Sequence, residues 1–186
     1  MQQQKISIMA DFRNESKYYP LGIRSNNPLN IGGTGWQGQT GTANNPQGEA
    51  IFEDTAHGIR AAAINLYNYY TKRDLTTIRA IINRWAPSDD PDANNDPDSY
   101  ANYVGRNTGI DPDAQFELNA ANFKAILKSM ANMEQGPKFA ALIPDSDYDL
   151  GIKLANKQEL IIKSIKIGGL FILLIFSYYL LSTKRY

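Results

Sequence analysis

Apolar positions recur with a helical period from Thr55 onward, and before that point they do not. Ile59, Ala62, Ala63, Leu66, Tyr69 and Tyr70 fall three or four residues apart and predict one face of a helix that ends before Asp74. Thr76 can cap a second helix that carries Ile78, Ile81, Ile82 and Trp85 inward and stops at Pro87. Asp96 and Pro97 read as the N-cap and first residue of a third, with Tyr100, Tyr103 and Val104 on its inner face and Gly109 just past its end. Asn119 opens a fourth, bearing Phe123, Ile126, Leu127 and Met130, which closes at Glu134 before Gly136. Residues 21–54 are too rich in Gly, Asn, Thr and Gln for long helices, and suit loops with a small β-hairpin around Gly35–Gly38 and Ala50–Phe52. The expected fold class is mainly α (α+β), a helical domain over 21–142 with a small hairpin. A polar segment (1–20) precedes it and a charged linker (143–166) follows.

The chain then changes character. Ile167 to Leu181 is an unbroken uncharged run, which Ser182 and Thr183 prolong, with Lys163 and Lys166 before it and Lys184 and Arg185 after. Its length is at the short end of the roughly 17–25 residues that span a bilayer, and basic flanks can snorkel to headgroups. The expectation is a C-terminal transmembrane helix over 167–183 with a basic tail at 184–186 and single-pass membrane localisation. No apolar signal-like stretch lies near Met1. Formal net charge is zero, yet residues 1–150 hold 13 basic against 18 acidic residues, and residues 151–186 hold 6 against 1. An acidic body argues against nucleic acid as a partner. The absence of cysteine removes thiolate chemistry, and a single histidine, His57, read as a surface residue, disfavours a His-based metal site. The acidic run Ser88–Asp98 does not fit an EF-hand loop, since neither register puts Gly sixth and Glu twelfth. No metal and no cofactor is expected.

The least ordinary stretch is Gly22-Ile-Arg-Ser-Asn-Asn-Pro-Leu-Asn-Ile31, followed by Trp36-Gln-Gly38. Asn amides can bond sugar hydroxyl and acetamido groups, and an indole can cover an apolar sugar face, so Asn26, Asn27, Asn30 and Trp36 are candidate substrate-binding residues, with Tyr103 a further aromatic candidate. The same composition also suits a rigid structural loop. With Phe52, Gly58-Ile-Arg-Ala61, Thr77-Ile-Arg-Ala-Ile-Ile-Asn-Arg-Trp-Ala-Pro87, Asn95, Tyr100 and Gly109, this run resembles a phage virion-protein family. That family's pattern is GIRNNNPGNI, WxG, F, GIRA, TxxxIIxxWAP, N, Y and EnG. Leu29 stands where the pattern has a second glycine, and Gln135 where it has Asn. The resemblance covers residues 22 to about 139. It implies a lysozyme-like, lytic-transglycosylase-like muralytic domain whose partners are peptidoglycan glycan strands, the lipid bilayer of a virion membrane and other virion proteins.

Cleaving a glycan needs a carboxylic acid near the leaving oxygen, kept protonated by an apolar setting. Glu134 ends an apolar helix two residues before Gly136 and follows the Asn-rich loop in the chain, which is a permuted order for such a site. Glu15, within Asn14-Glu15-Ser16, would restore the conventional order, and Glu49 in the expected hairpin is a candidate second carboxylate. The resulting expectation is a membrane-anchored, virion-associated peptidoglycan-degrading enzyme acting at phage entry. The alternative is a structural or glycan-binding virion membrane protein without turnover.

Overall fold

A computed structural model describes residues 9–15, 17–90 and 94–156. The elements run α1 (Leu21–Arg24), β1 (Gln39–Thr42), β2 (Ala50–Phe52), α2 (Thr55–Arg73), α3 (Ile78–Trp85), α4 (Pro97–Thr108), α5 (Ala120–Gln135), α6 (Pro137–Ala140) and a helix over residues 145–156, here α7. The architecture is mixed α/β, with seven helices and one small hairpin among the described residues. Four helix starts obey one local rule. Asp54, Thr77, Asp96 and Asn119 each turn a side-chain oxygen onto a backbone N–H of the first turn, satisfying a donor the helix leaves open. Asp74 and Gly109 close α2 and α4 in the left-handed region.

Helix α2 is the spine. Its Ile59, Ala62, Ala63 and Leu66 are fully buried, and it packs on β2, α3 and α5. Helix α5 lies against α4, α6 and α1, with Leu127 and Met130 in the same core. β1 and β2 pair antiparallel with Gln39 opposite Phe52 and Thr42 opposite Ala50, and the register slips between Gln39 and Gly41. The first strand therefore starts after Gly38. Residues 35–38 form its approach, because Gly35 and Gly38 both take positive φ, a turn geometry rather than an extended one.

Two segments outside the expected 21–142 domain join this core. In α7, Tyr148, Ile152 and Ala155 are buried together with Asp147, so the first half of the stretch read as a linker contributes packing. At the other end, Ala10 donates its N–H to Asp147 Oδ2 (3.0 Å), and its carbonyl accepts from both the N–H and the hydroxyl of Thr55 (3.0 Å each).

The expected fold class needs correction. The 167–183 stretch read as a transmembrane helix lies outside the described residues, and among those described no helix is long and apolar enough to cross a membrane. The longest described helix, α2, carries His57, Arg60, Asn65, Asn68, Lys72 and Arg73 along its length, which a hydrocarbon interior would penalise. The mainly helical, lysozyme-like domain with a C-terminal transmembrane helix is replaced by a mixed α/β domain, and no described helix supports the single-pass membrane localisation.

Candidate active site

The Asn-rich loop between α1 and β1 is built by its own side chains. Asn26 and Asn30 take φ of 52° and 50°, a left-handed conformation that Asn tolerates better than most residues. Asn27 Nδ2 donates to the carbonyls of Ile31 (2.9 Å) and Ala50 (2.8 Å), while its Oδ1 accepts from Ile31 N–H (2.9 Å). Asn26 Oδ1 accepts from Phe12 N–H (2.7 Å), and its Nδ2 donates to Asp11 Oδ1 and Phe52 O. Both residues are fully buried. Gly58 of α2 lies flat on this loop, for a Cβ there would run into the backbone carbonyl of Asn26. The Asn26 and Asn27 side chains, expected on a sugar, are therefore occupied with holding the loop to β2 and the N-terminal segment.

Asn30 faces the other way. Its Nδ2 donates to Glu134 Oε2 (2.9 Å) across 104 residues of chain. The opposite oxygen, Oε1, accepts from the Tyr100 hydroxyl (2.8 Å) and from Trp85 Nε1 (3.2 Å). One half-buried carboxyl thus collects a donor from the loop, one from α3 and one from α4, at the C-terminal end of α5. Burial pushes its pKa up, the three donors pull it down, and the nearby charge of Glu49 adds a further upward push; the net direction is upward. The negative end of the α5 dipole acts in the same sense. Burial also drives the Tyr100 hydroxyl far above its ordinary value, so it remains a donor at any working pH.

The carboxyl opens onto a cleft of about 350 Å³. Leu29, Asn30 and Ile31 form one wall, Gln47 and Glu49 come from the turn before β2, and Asn65 and Tyr69 come from α2. Trp85 and Asn95 close the far side. Glu49 itself is held by Asn45 Nδ2 (2.6 Å) and sits opposite Gly32 in an isolated β-bridge. The fold brings Glu134, Glu49 and Asn30 together at this cleft. It does not bring Glu15, which is exposed on a turn closed by its own N–H to Phe12 O. Trp36 is half-buried beside the wall, its Nε1 donating to Gly32 O (3.0 Å), and does not line the cleft. Tyr103 lies on α4 near Tyr100, also outside the lining.

Trp85 and Tyr100 are the residues that periodicity alone misses, since both sit on faces that read as core. The signal was their polar handles: a buried indole N–H or phenol O–H needs a partner, and both point at the same carboxyl. His57 is not a surface residue. Its ring, with the side chain 12% exposed, packs under Gly38 and lies 2.9 Å from Asp54 Oδ1 and 3.4 Å from Glu53. Glu53, Asp54 and His57 bring ligand-type atoms within 4.8 Å of one another. Asp54 Oδ1 is already engaged there, capping α2 through His57 N–H.

No protein-family model matches this sequence. Protein P5 of Pseudoalteromonas phage PM2 is 41% identical to it over 120 residues, which cover 62% of this chain and 71% of that protein. The chain belongs to the family of Protein P5. P5-family membership supports a role as a phage virion protein.

Proposed function

We propose that this P5-family protein cleaves the glycan strands of peptidoglycan during phage entry, with Glu134 as the general acid. The observation that carries the reading is a half-buried carboxyl of raised pKa, gripped by Asn30, Trp85 and Tyr100, at the floor of a polar cleft. Such a group can hold a proton near neutrality and deliver it to a leaving oxygen. Oε1 already accepts two hydrogen bonds and Oε2 one, so the transferable proton belongs on the remaining lone pair of Oε2. In the lytic-transglycosylase version, that proton passes to the glycosidic oxygen as the C1–O bond breaks. The sugar's own 6-hydroxyl then bonds to C1 and returns its proton to the carboxylate. Glu49, across the cleft, is the group that would activate water if the reaction is hydrolysis instead.

A second reading, a glycan-binding virion protein without turnover, draws on the same three donors, which all favour the ionised carboxylate. Mass spectrometry of sacculi treated with the full chain separates the readings. Anhydro ends mark a lyase and reducing ends a hydrolase, while intact glycan after prolonged incubation sinks the catalytic proposal.

A further inference from the structure

We infer that Gln135 is a positioning residue of this site: it fixes the Asn30 amide in the one orientation that turns Nδ2 toward Glu134. The inference rests on the reading of Glu134 as the acid, but its geometry stands apart from activity. Gln135 is 5% exposed, and its Nε2 donates both to the backbone carbonyl of Pro28 (3.2 Å) and to Asn30 Oδ1 (2.9 Å).

The order of constraint follows from donor and acceptor types. A backbone carbonyl only accepts, so Pro28 O obliges Gln135 to present its NH₂ side. That NH₂ obliges Asn30 to present its oxygen inward, and hence its own NH₂ to Glu134 Oε2. Without Gln135 the Asn30 amide could turn over when Glu134 takes up a proton, because a protonated carboxyl donates as readily to an amide oxygen as an ionised one accepts from an amide nitrogen. The relay removes that option. Gly22 completes the device: a Cβ at this position would collide with Gln135 Nε2 and Asn30 Oδ1, so the amides meet only because α1 offers no side chain there.

Keeping a donor on Oε2 in both protonation states favours the ionised form, which opposes burial and leaves the acid able to release its proton. The other titratable groups facing Glu134 are Tyr100 on α4 and Glu49 beside β2. The Tyr100 hydroxyl bonds to Glu134 itself and Glu49 to Asn45, while Gln135 bonds to Pro28 and Asn30, so a change confined to Gln135 reads the relay.

The test follows the Glu134 side-chain carbonyl by ¹³C NMR in the full chain labelled at glutamate Cδ, with Glu134→Gln identifying the resonance. Gln135→Met keeps the length and removes the donors; Glu134 should then titrate about one pH unit higher, and the alkaline limb of any glycan cleavage should rise with it. Asn30→Gly, which suits the positive φ, should have the same effect, and the double variant should match Asn30→Gly alone. An unmoved titration in Gln135→Met, or shifts that add in the double variant, overturns the relay. If Gln135→Met does not fold, the wild-type chain decides: the Gln135 side-chain NH₂ resonances should shift through the Glu134 midpoint, and an amide silent through that titration refutes the proposal. Shifts as expected in a chain that cleaves no glycan support the relay while removing the enzymatic reading. Cleavage that depends on Glu134 without these shifts removes the relay alone.

Discussion

Asn27 shows how much one polar side chain can carry inside a loop. Replacing it by Ala strands the Ile31 N–H and the Ala50 carbonyl in a fully buried place, while the Ile31 carbonyl keeps the Ala50 N–H. Each orphaned group costs on the order of 1–3 kcal/mol. Asn27→Ala should therefore lower stability by about 2 kcal/mol or more, read as a shift of the urea midpoint at unchanged m-value. A sugar-contacting Asn would leave the midpoint in place. At Glu134 the expectation is opposite in kind. Glu134→Gln preserves shape and should keep the fold, while glycan cleavage falls by roughly 10²–10⁴-fold. The wild-type profile should lose activity as pH rises through the elevated Glu134 pKa, since only the protonated acid can donate. Asp147 works by the same sign on stability. Burial raises its pKa in the folded state, so folding holds the proton more tightly and stability declines as pH rises from the ordinary carboxylate range through that raised value. Asp147→Asn, which keeps an acceptor for Ala10, should flatten that decline in denaturation curves taken across pH.

Helix ends were legible in the sequence wherever a short-range rule decides them. Asp96-Pro97, Gly109, Asn119 and Gly136 mark the bounds of α4 and α5 almost to the residue, and α3 begins one position later than its threonine pair suggests, capped by Thr77. Helix α7 escaped because Asp145, Asp147 and Asp149 dominate its start, and a buried Asp looks like a solvated one until its partner, Ala10, is known. The hairpin slipped because glycine content marks a turn without saying on which side the strand lies. Of the site, the carboxylate was readable and its surroundings were not: Trp85 and Tyr100 converge on it only through the packing of α3 on α4 and of α4 on α5. The element-scale expectation concerns α7. Ending the chain at residue 144 removes Tyr148, Ile152 and Ala155 from the core. At about 1.5–3 kcal/mol for each large apolar side chain, that loss should abolish cooperative unfolding followed by far-UV circular dichroism. A passive linker would leave the transition untouched.

On the scale of the molecule, residues 9–13 act as a clasp over three distant elements. Ala10 binds α7 through Asp147 and the start of α2 through Thr55, and Phe12 binds the loop through Asn26. Deleting residues 1–13 breaks these bonds, each worth about 1 kcal/mol, and exposes Asn26. The deletion should lower Tm by on the order of 10 °C for a domain of this size, with amide exchange quickening first at α7. The long reach from Asn30 to Glu134 has a bearing on the infected cell. A ribosome releases the loop, the hairpin, α2, α3 and α4 before α5 exists, so Asn30, Trp85 and Tyr100 are all made before the carboxyl they hold. On the proposed reading, a nascent chain that stops short of α5 lacks the acid and cleaves no glycan. By the same token, if Glu134 is the acid we propose, a temperature-sensitive lesion anywhere in the clasp or in α7 should mimic a Glu134 lesion in a phage cross, losing glycan cleavage in step with the folded fraction and regaining it on cooling.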